Sequence, residues 1–190
     1  MTLATVEQAY AGRVPAGEAS LIERARRMEG PAWDELYTLH YPAIHRYCAY
    51  RIAHPEAAED LAADVFLQAV RGIRRYQYRG LPFRAWLYRI AHNVTADERK
   101  RLARANTVAP DAAPEPADPD FAPGVVDRRA IATALVELTD EQQQVIILRF
   151  LEGLSLQETA TVMRKRTGAI KALQFRAVSR LREILQAEVD

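Results

Sequence analysis

The sequence predicts an all-α fold: two small helical domains joined by a Pro-rich, acidic linker. Three observations predict it. Apolar residues recur at helical spacing, in Leu61, Val65, Ala69 and Ile73 and again in Ile170, Leu173, Ala177, Leu181 and Ile184, and each set falls on one side at 100° per residue. Nothing in the sequence patterns as a strand. Between the two helical regions, residues 105–127 hold Pro110, Pro114, Pro116, Pro119 and Pro123, the acids Asp111, Glu115, Asp118, Asp120 and Asp127, and no Lys or Arg. Such a stretch is semi-extended where Pro is dense. Roughly 20 extended residues reach on the order of 70 Å, about two turns of duplex DNA at roughly 34–36 Å per turn.

The order of elements follows. Residues 1–19 are weakly patterned, with Gly12, Pro15 and Gly17, and are expected to be mobile. The first domain is assigned to 20–104. Its first helix begins near Glu18 and stops at Gly30. Pro31 suits the first position of a second helix, in which Pro42 predicts a kink or a break. A third helix runs from Pro55 to about Tyr76 with the Leu61 stripe buried. A turn over residues 78–82 leads into a fourth helix, Phe83 to about Arg104, whose apolar side is Trp86, Leu87, Ile90 and Val94. After the linker, the second domain is assigned to 128–190. Ile131, Ala134, Leu135 and Leu138 define one helix, and Thr139 or Asp140 caps the next, to about Leu151. Ser155 followed by Glu158 is a capping box for a helix that buries Leu156, Ala160 and Met163. The basic turn Arg164-Lys165-Arg166 precedes a last helix to about Gln186.

Composition excludes several classes. The hydrophobic fraction, 49%, is that of a globular chain and not a disordered one. No apolar run approaches the roughly 20 residues of a membrane span. The start, MTLATVEQAYAGR, lacks a basic segment followed by an apolar one, so no signal peptide is expected. Cys48 is the single cysteine; it forms no intramolecular disulfide, fits a reducing cytosol and is read as a small buried hydrophobe. His40, His45, His54 and His92 show no metal-ligand spacing. No Gly-rich phosphate loop, zincin motif or nucleophile set emerges, so neither an enzyme nor a cofactor nor a metal is expected.

Three constellations point to binding instead. Between Arg71 and Arg104 stand Arg71, Arg74, Arg75, Arg79, Arg84, Arg89, Arg99, Lys100, Arg101 and Arg104, opposed only by Asp97 and Glu98. Tyr76, Tyr78, Phe83, Trp86 and Tyr88 run through the same stretch. Cations neutralise phosphates and flat rings stack on bases that have left a duplex; a plain helix pair with its aromatics in the core gives the same composition. The last two helices, joined by a short turn, form a helix-turn-helix pattern. On the final helix, Lys171, Ala172, Phe175, Ser179 and Arg182 lie opposite the Ile170 stripe with Arg176 on the flank, and no acid occurs from Arg164 to Arg182. Third, Asp60, Asp64, Leu67 and Arg71 share a side away from the Leu61 stripe. Like charges at i, i+4 do not help a helix, so this face suits a basic partner helix, or is a solvated acidic surface.

Four segments together carry a resemblance. They are Asp60-Leu61-Ala62-Ala63-Asp64-Val65-Phe66; Phe83-Arg84-Ala85-Trp86-Leu87-Tyr88-Arg89-Ile90-Ala91; Leu148-Arg149-Phe150-Leu151-Glu152-Gly153-Leu154-Ser155 with Glu158-Thr159-Ala160; and Gly168-Ala169-Ile170-Lys171-Ala172-Leu173. In this order they resemble the extracytoplasmic-function (ECF, group IV) sigma factors of bacterial RNA polymerase, over residues of about 20 to 187. The resemblance implies sigma domain 2 before the linker and sigma domain 4 after it, in a cytoplasmic protein. Its partners would be promoter DNA, the clamp helices of the largest core RNA polymerase subunit, the flap of the second subunit, and an anti-sigma factor. Asp60, Leu61, Asp64 and Leu67 are the expected polymerase-docking residues. Arg75, Tyr76, Tyr78, Arg79, Phe83, Arg84, Trp86 and Arg89 are expected at the downstream (−10) element and its melting. Arg164, Lys165, Arg166, Lys171, Ala172, Phe175 and Arg176 are expected at the upstream (−35) element. Ala63, Leu87 and Arg164 depart from the family pattern, where Gln, a second Trp and a turn Gly are usual. Two other readings stay open on the residues alone: a free-standing helix-turn-helix regulator, which would be a dimer binding duplex by itself, and an adaptor whose basic faces bind acidic proteins.

Overall fold

The computed structural model describes residues 17–52, 55–77, 82–108 and 133–187; among them the regular elements are helical and no strand occurs. The first helix, α1 (Glu18–Arg26), ends earlier than Gly30. Met28 takes the left-handed conformation, φ 62°, with its N–H on the Ala25 carbonyl and that of Glu29 on the Arg24 carbonyl. This is a Schellman ending built without glycine, two residues before the Gly30 that the sequence offers as a stop. Glu18 is buried and pairs with His40 at 3.0 Å, so this residue of the segment expected to be mobile is held in place.

Helix α2 (Gly30–Arg51) passes through Pro42 without interruption, so the expected break is absent. Pro42 and Thr38 are both exposed. The Thr38 carbonyl, deprived of its i+4 N–H, therefore faces water instead of core. Helix α3 (Pro55–Gly72) follows and tightens into a single 3₁₀ turn, Ile73–Arg75. Helix α4 (Phe83–Val108) continues into the stretch read as linker. Residues 105–108 contain no proline, and Pro110 disfavours helix only at the residue before it. Leu36, Ile44, Tyr47 and Cys48 of α2, Ala62, Val65 and Ala69 of α3, and Phe83, Leu87 and Ala91 of α4 make the core of this half. Cys48 is fully buried, as read from the sequence, and burial pushes its thiol up to about 12.

The second half opens with a helical stretch at 133–136 that buries Ala134 and Leu135. Thr139 caps α5 (Asp140–Ile146) through a capping box with Gln142. The helix then widens into a π turn, Ile147–Leu151, closed by the Glu152 N–H on the Ile147 carbonyl at 2.9 Å. Ser155 and Glu158 form the predicted capping box of α6 (Leu156–Val162), and α7 (Thr167–Ala187) packs across α5 and α6. The two halves touch directly: α6 lies on α4, and the buried apolar residues of both halves form one continuous cluster.

Candidate nucleic-acid interface

Helix α7 presents two unlike sides. Ile170, Leu173 and Ala177 are buried, and Leu181 and Ile184 half-buried. Lys171, Ala172, Arg176 and Arg182 are exposed, and Phe175 is 75% exposed. The turn before α7 is set by a second Schellman ending: the Arg164 N–H reaches the Thr161 carbonyl and the Lys165 N–H the Ala160 carbonyl. Arg164 occupies the left-handed position itself, φ 53°, where glycine would be unstrained. Arg164 and Arg166 are exposed, and the Lys165 ammonium lies 2.7 Å from Glu141 on a partly exposed surface. A pair of that kind contributes little and yields readily to a phosphate.

On α3, Asp60 and Asp64 are exposed and Leu67 is 46% exposed, so the three share an outer face. Leu61 does not join them. It is buried in the core, because its place in the i, i+4 stripe with Val65 turns it inward, and it can act at that face only by holding the helix. Sequence reasoning missed Tyr37 of α2, which is exposed, stacks on Tyr41 at 4.6 Å and tilts against Phe66 of α3 at 4.8 Å. The i, i+4 spacing of Tyr37 and Tyr41 was the available signal.

The aromatic stretch around α4 is arranged differently from the expectation. Tyr76, Phe83 and Trp86 are all buried, with ring centroids 5.0–5.5 Å apart in a mutual cluster. Trp86 also covers Gly72, where an added Cβ would stand 3.3 Å from the indole. Rings whose faces are taken by one another offer none to an unstacked base, so in this arrangement the three are core. Phe83, Trp86, Leu87 and Ala91 fall in phase along α4, which is why they turn inward together. Arg74 and Arg75 are exposed and Arg89 half-buried. Tyr78 and Arg79 lie outside the described residues.

The two halves meet through polar contacts that no local pattern announced. Glu152 accepts two hydrogen bonds from the Arg46 guanidinium, at 2.8 and 2.7 Å, and one from the Tyr88 hydroxyl at 2.7 Å. Burial, and then the neighbouring Glu152 carboxylate, hold the Tyr88 phenol well above its usual range. Glu158 accepts from Arg84 at 3.0 and 3.1 Å and from the Ser155 N–H at 2.7 Å. Burial works to raise its pKa, but the bonds from Arg84 and Ser155 win and the net displacement is downward. The fully buried Arg51 side chain donates to Gln143 at 2.7 Å and to Asp140, which also pairs with Arg99. Gln144 donates to Nδ1 of His92 at 2.8 Å; burial, then the charges of Arg51, Arg164 and Lys100, keep that imidazole below its ordinary pKa.

Comparison with known proteins agrees along the chain. The model of Sigma-70 region 2 matches residues 36–105 and that of Sigma-70, region 4 matches residues 134–183. The chain is 40% identical over 176 residues to the ECF RNA polymerase sigma factor BldN of Streptomyces coelicolor; the alignment covers 87% of this chain but 64% of that protein's length. It is 34% identical over 158 residues to the ECF RNA polymerase sigma factor SigD of Mycobacterium tuberculosis, across 78% of this chain and 74% of the relative. Among solved structures, the sigma factor RpoE in complex with the anti-sigma factor NepR from Bartonella quintana is similar with a TM-score of 0.72 at 25% identity, over 80% of this chain and 96% of that one. CnrH, solved in complex with the cytosolic domain of CnrY, shares the fold with a TM-score of 0.69 at 23% identity, over 90% of this chain and 98% of that one.

Proposed function

The chain belongs to the ECF RNA polymerase sigma factors, and on that premise we propose that it binds core RNA polymerase in the cytoplasm, directs it to promoters and helps to open them. The observation that carries this reading is the outward side of α7. From Arg164 to Arg182 it is basic and free of acid, with an aromatic ring standing in solvent opposite a well-packed apolar stripe. A monomeric core stripe does not need Phe175 there, whereas a thymine methyl or a sugar edge would cover it. Phosphates position and base edges specify. Arg164 and Arg166, at the turn, take phosphates, with Lys165 joining once Glu141 is displaced. Lys171, Phe175 and Arg176, with Ala172 beside them, read the upstream element.

Asp60 and Asp64, with Leu67 between their turns, dock on a basic helix of the largest polymerase subunit. Arg74 and Arg75 guide the downstream DNA, with Arg84 and Arg89. On the second half, a wholly apolar groove of about 230 Å³, lined by Leu135, Ile146, Phe150, Val178 and Leu181 among others, suits an apolar helix such as that of the second-subunit flap. An anti-sigma factor completes the set of partners, because the similar RpoE was solved with one. Run-off transcription with core polymerase, with and without this chain, is the direct test. Promoter-dependent transcript is expected only in its presence. Sequence-specific duplex binding by a dimer without polymerase would favour the free-standing regulator instead.

A further inference from the structure

Arg164, Lys165 and Arg166 immediately precede Thr167, and no other serine or threonine of the chain follows three consecutive cations. The turn that carries them is irregular backbone between α6 and α7, and Arg164 and Arg166 are exposed. Thr167 opens α7 and is half-buried. The hydroxyls of Thr38, Thr159 and Thr161 donate to the carbonyl four residues back; Thr167 has no turn of its own helix behind it to accept in that way. Its neighbour leaves the approach open, since no heavy atom lies within 4 Å of where a Cβ on Gly168 would stand. Glycine is also a weak helix former, so the first turn of α7 opens at little cost. A kinase whose substrate groove is acidic recognises such a run of cations by charge.

We propose that Thr167 is the phosphoryl acceptor of an arginine-directed serine/threonine protein kinase, and that the phosphate switches off the outward face of α7. The inference rests on the proposed upstream-element role of that face and names a regulation of it. The donor is ATP. A bond forms between Oγ1 of Thr167 and the γ-phosphorus, the bond from that phosphorus to the β–γ bridging oxygen breaks, the hydroxyl proton passes to the aspartate base of the kinase, and ADP leaves. The phosphate brings about −1.5 to −2 charges against the three cations of the turn. Its oxygens accept paired N–H bonds from the Arg164 and Arg166 guanidiniums, the groups assigned to DNA phosphates. The fold is not weakened, because an anion suits the first turn of a helix.

The test has two arms, both on the full-length chain. In the first, the chain is incubated with ATP and the catalytic subunit of cyclic-AMP-dependent protein kinase, an arginine-directed enzyme, and mass spectrometry of its peptides should find phosphate on Thr167. In the second, phosphothreonine is installed at residue 167 during translation and the chain is assembled with core polymerase. Binding to a fluorescein-labelled promoter should weaken by about tenfold, with a salt slope shallower by about two contacts, while the thermal midpoint of the chain does not fall. Thr167→Val, which keeps the shape and loses the hydroxyl, should bind the promoter as wild type does. The proposal is overturned if Thr167 takes no phosphate, if the phosphorylated chain binds undiminished, or if its midpoint drops. It is also overturned if Thr167→Val binds as weakly as the phosphorylated chain, because the hydroxyl would then itself be a DNA contact. Failure of the unmodified holoenzyme to bind promoter removes the promoter reading and the switch with it; unmodified binding that phosphorylation leaves unchanged removes the switch alone.

Discussion

Helices α4 and α7 carry the same ingredients, arginines interleaved with aromatic rings, yet they use them in opposite ways. Around α4, Tyr76, Phe83, Trp86 and Tyr88 are at most 9% exposed, whereas on α7 Phe175 is 75% exposed. The difference is phase. Phe83 and Trp86 lie in register with Leu87 and Ala91, so the helix buries them with its apolar side. Phe175 stands two residues from Leu173 and two from Ala177, about 200° round from each, and the same helix must leave it outside. A basic, aromatic composition therefore leaves its rings free to meet a partner only where they fall out of phase with the stripe.

The largest effect should separate the two helices by stability. Phe83→Ala removes a ring buried among Tyr76, Trp86 and His40 and should destabilise the chain by about 3–5 kcal/mol, as a core aromatic truncation does. Phe175→Ala should stay within about 0.5 kcal/mol of wild type, like an ordinary surface change. Urea denaturation of both variants decides the matter. Equal midpoints would mean that the α4 cluster is no more structural than the exposed ring.

Next comes the outer side of α7 itself. Lys171→Ala or Arg176→Ala should each cost roughly 1–3 kcal/mol at particular base pairs. Arg166→Ala should weaken all upstream elements alike and lower the salt slope by about one contact. Selection from a randomised upstream element shows whether preferences move. If wild type and the Lys171, Phe175 and Arg176 variants select the same bases, α7 does not read sequence.

The contrast between the helices also shows what a sequence reveals. The α7 stripe, the Ser155–Glu158 box and the burial of Cys48 were legible because each depends on residues within a few turns of one another. The inward turn of Phe83 and Trp86 was legible in the same periodicity, but their charge-rich neighbours gave equal weight to a stacking role. The Glu152–Arg46 and Glu158–Arg84 pairs were not legible at all. They join residues far apart in the chain, and pairing of charges at that separation leaves no periodic trace. Glu152 further depends on the π turn at Ile147–Leu151, which changes the phase of the side chains after it and has no simple sequence signature.

A smaller change sharpens the comparison at the turn before α7. Arg164 holds φ 53°, a conformation that disfavours a side chain with a Cβ, so Arg164→Gly should raise stability by about 0.5–1 kcal/mol. The same variant loses a cation at the proposed DNA face, and its upstream-element affinity should fall while its thermal midpoint rises. A midpoint that falls would show that the Arg164 side chain contributes more to the fold than its backbone strain removes.

The smallest effect concerns α4 where it meets the second half. Gln144 donates to Nδ1 of His92 at 2.8 Å, so the neutral imidazole must accept there and carry its proton on Nε2. Protonation would place a donor against a donor and add a cation near Arg51, Arg164 and Lys100. Because the pKa of His92 is lowered in the packed state from the ordinary 6.5, the unpacked state binds the proton more tightly. The contribution to stability is therefore complete above about pH 6.5 and is lost as the pH falls through that value toward the depressed pKa. Glu158 acts in a window that opens lower, since its pKa lies below the ordinary 4.5. Denaturation midpoints between pH 7.5 and pH 5.5 should fall for wild type and stay flatter for His92→Gln, whereas parallel curves would remove His92 as the source.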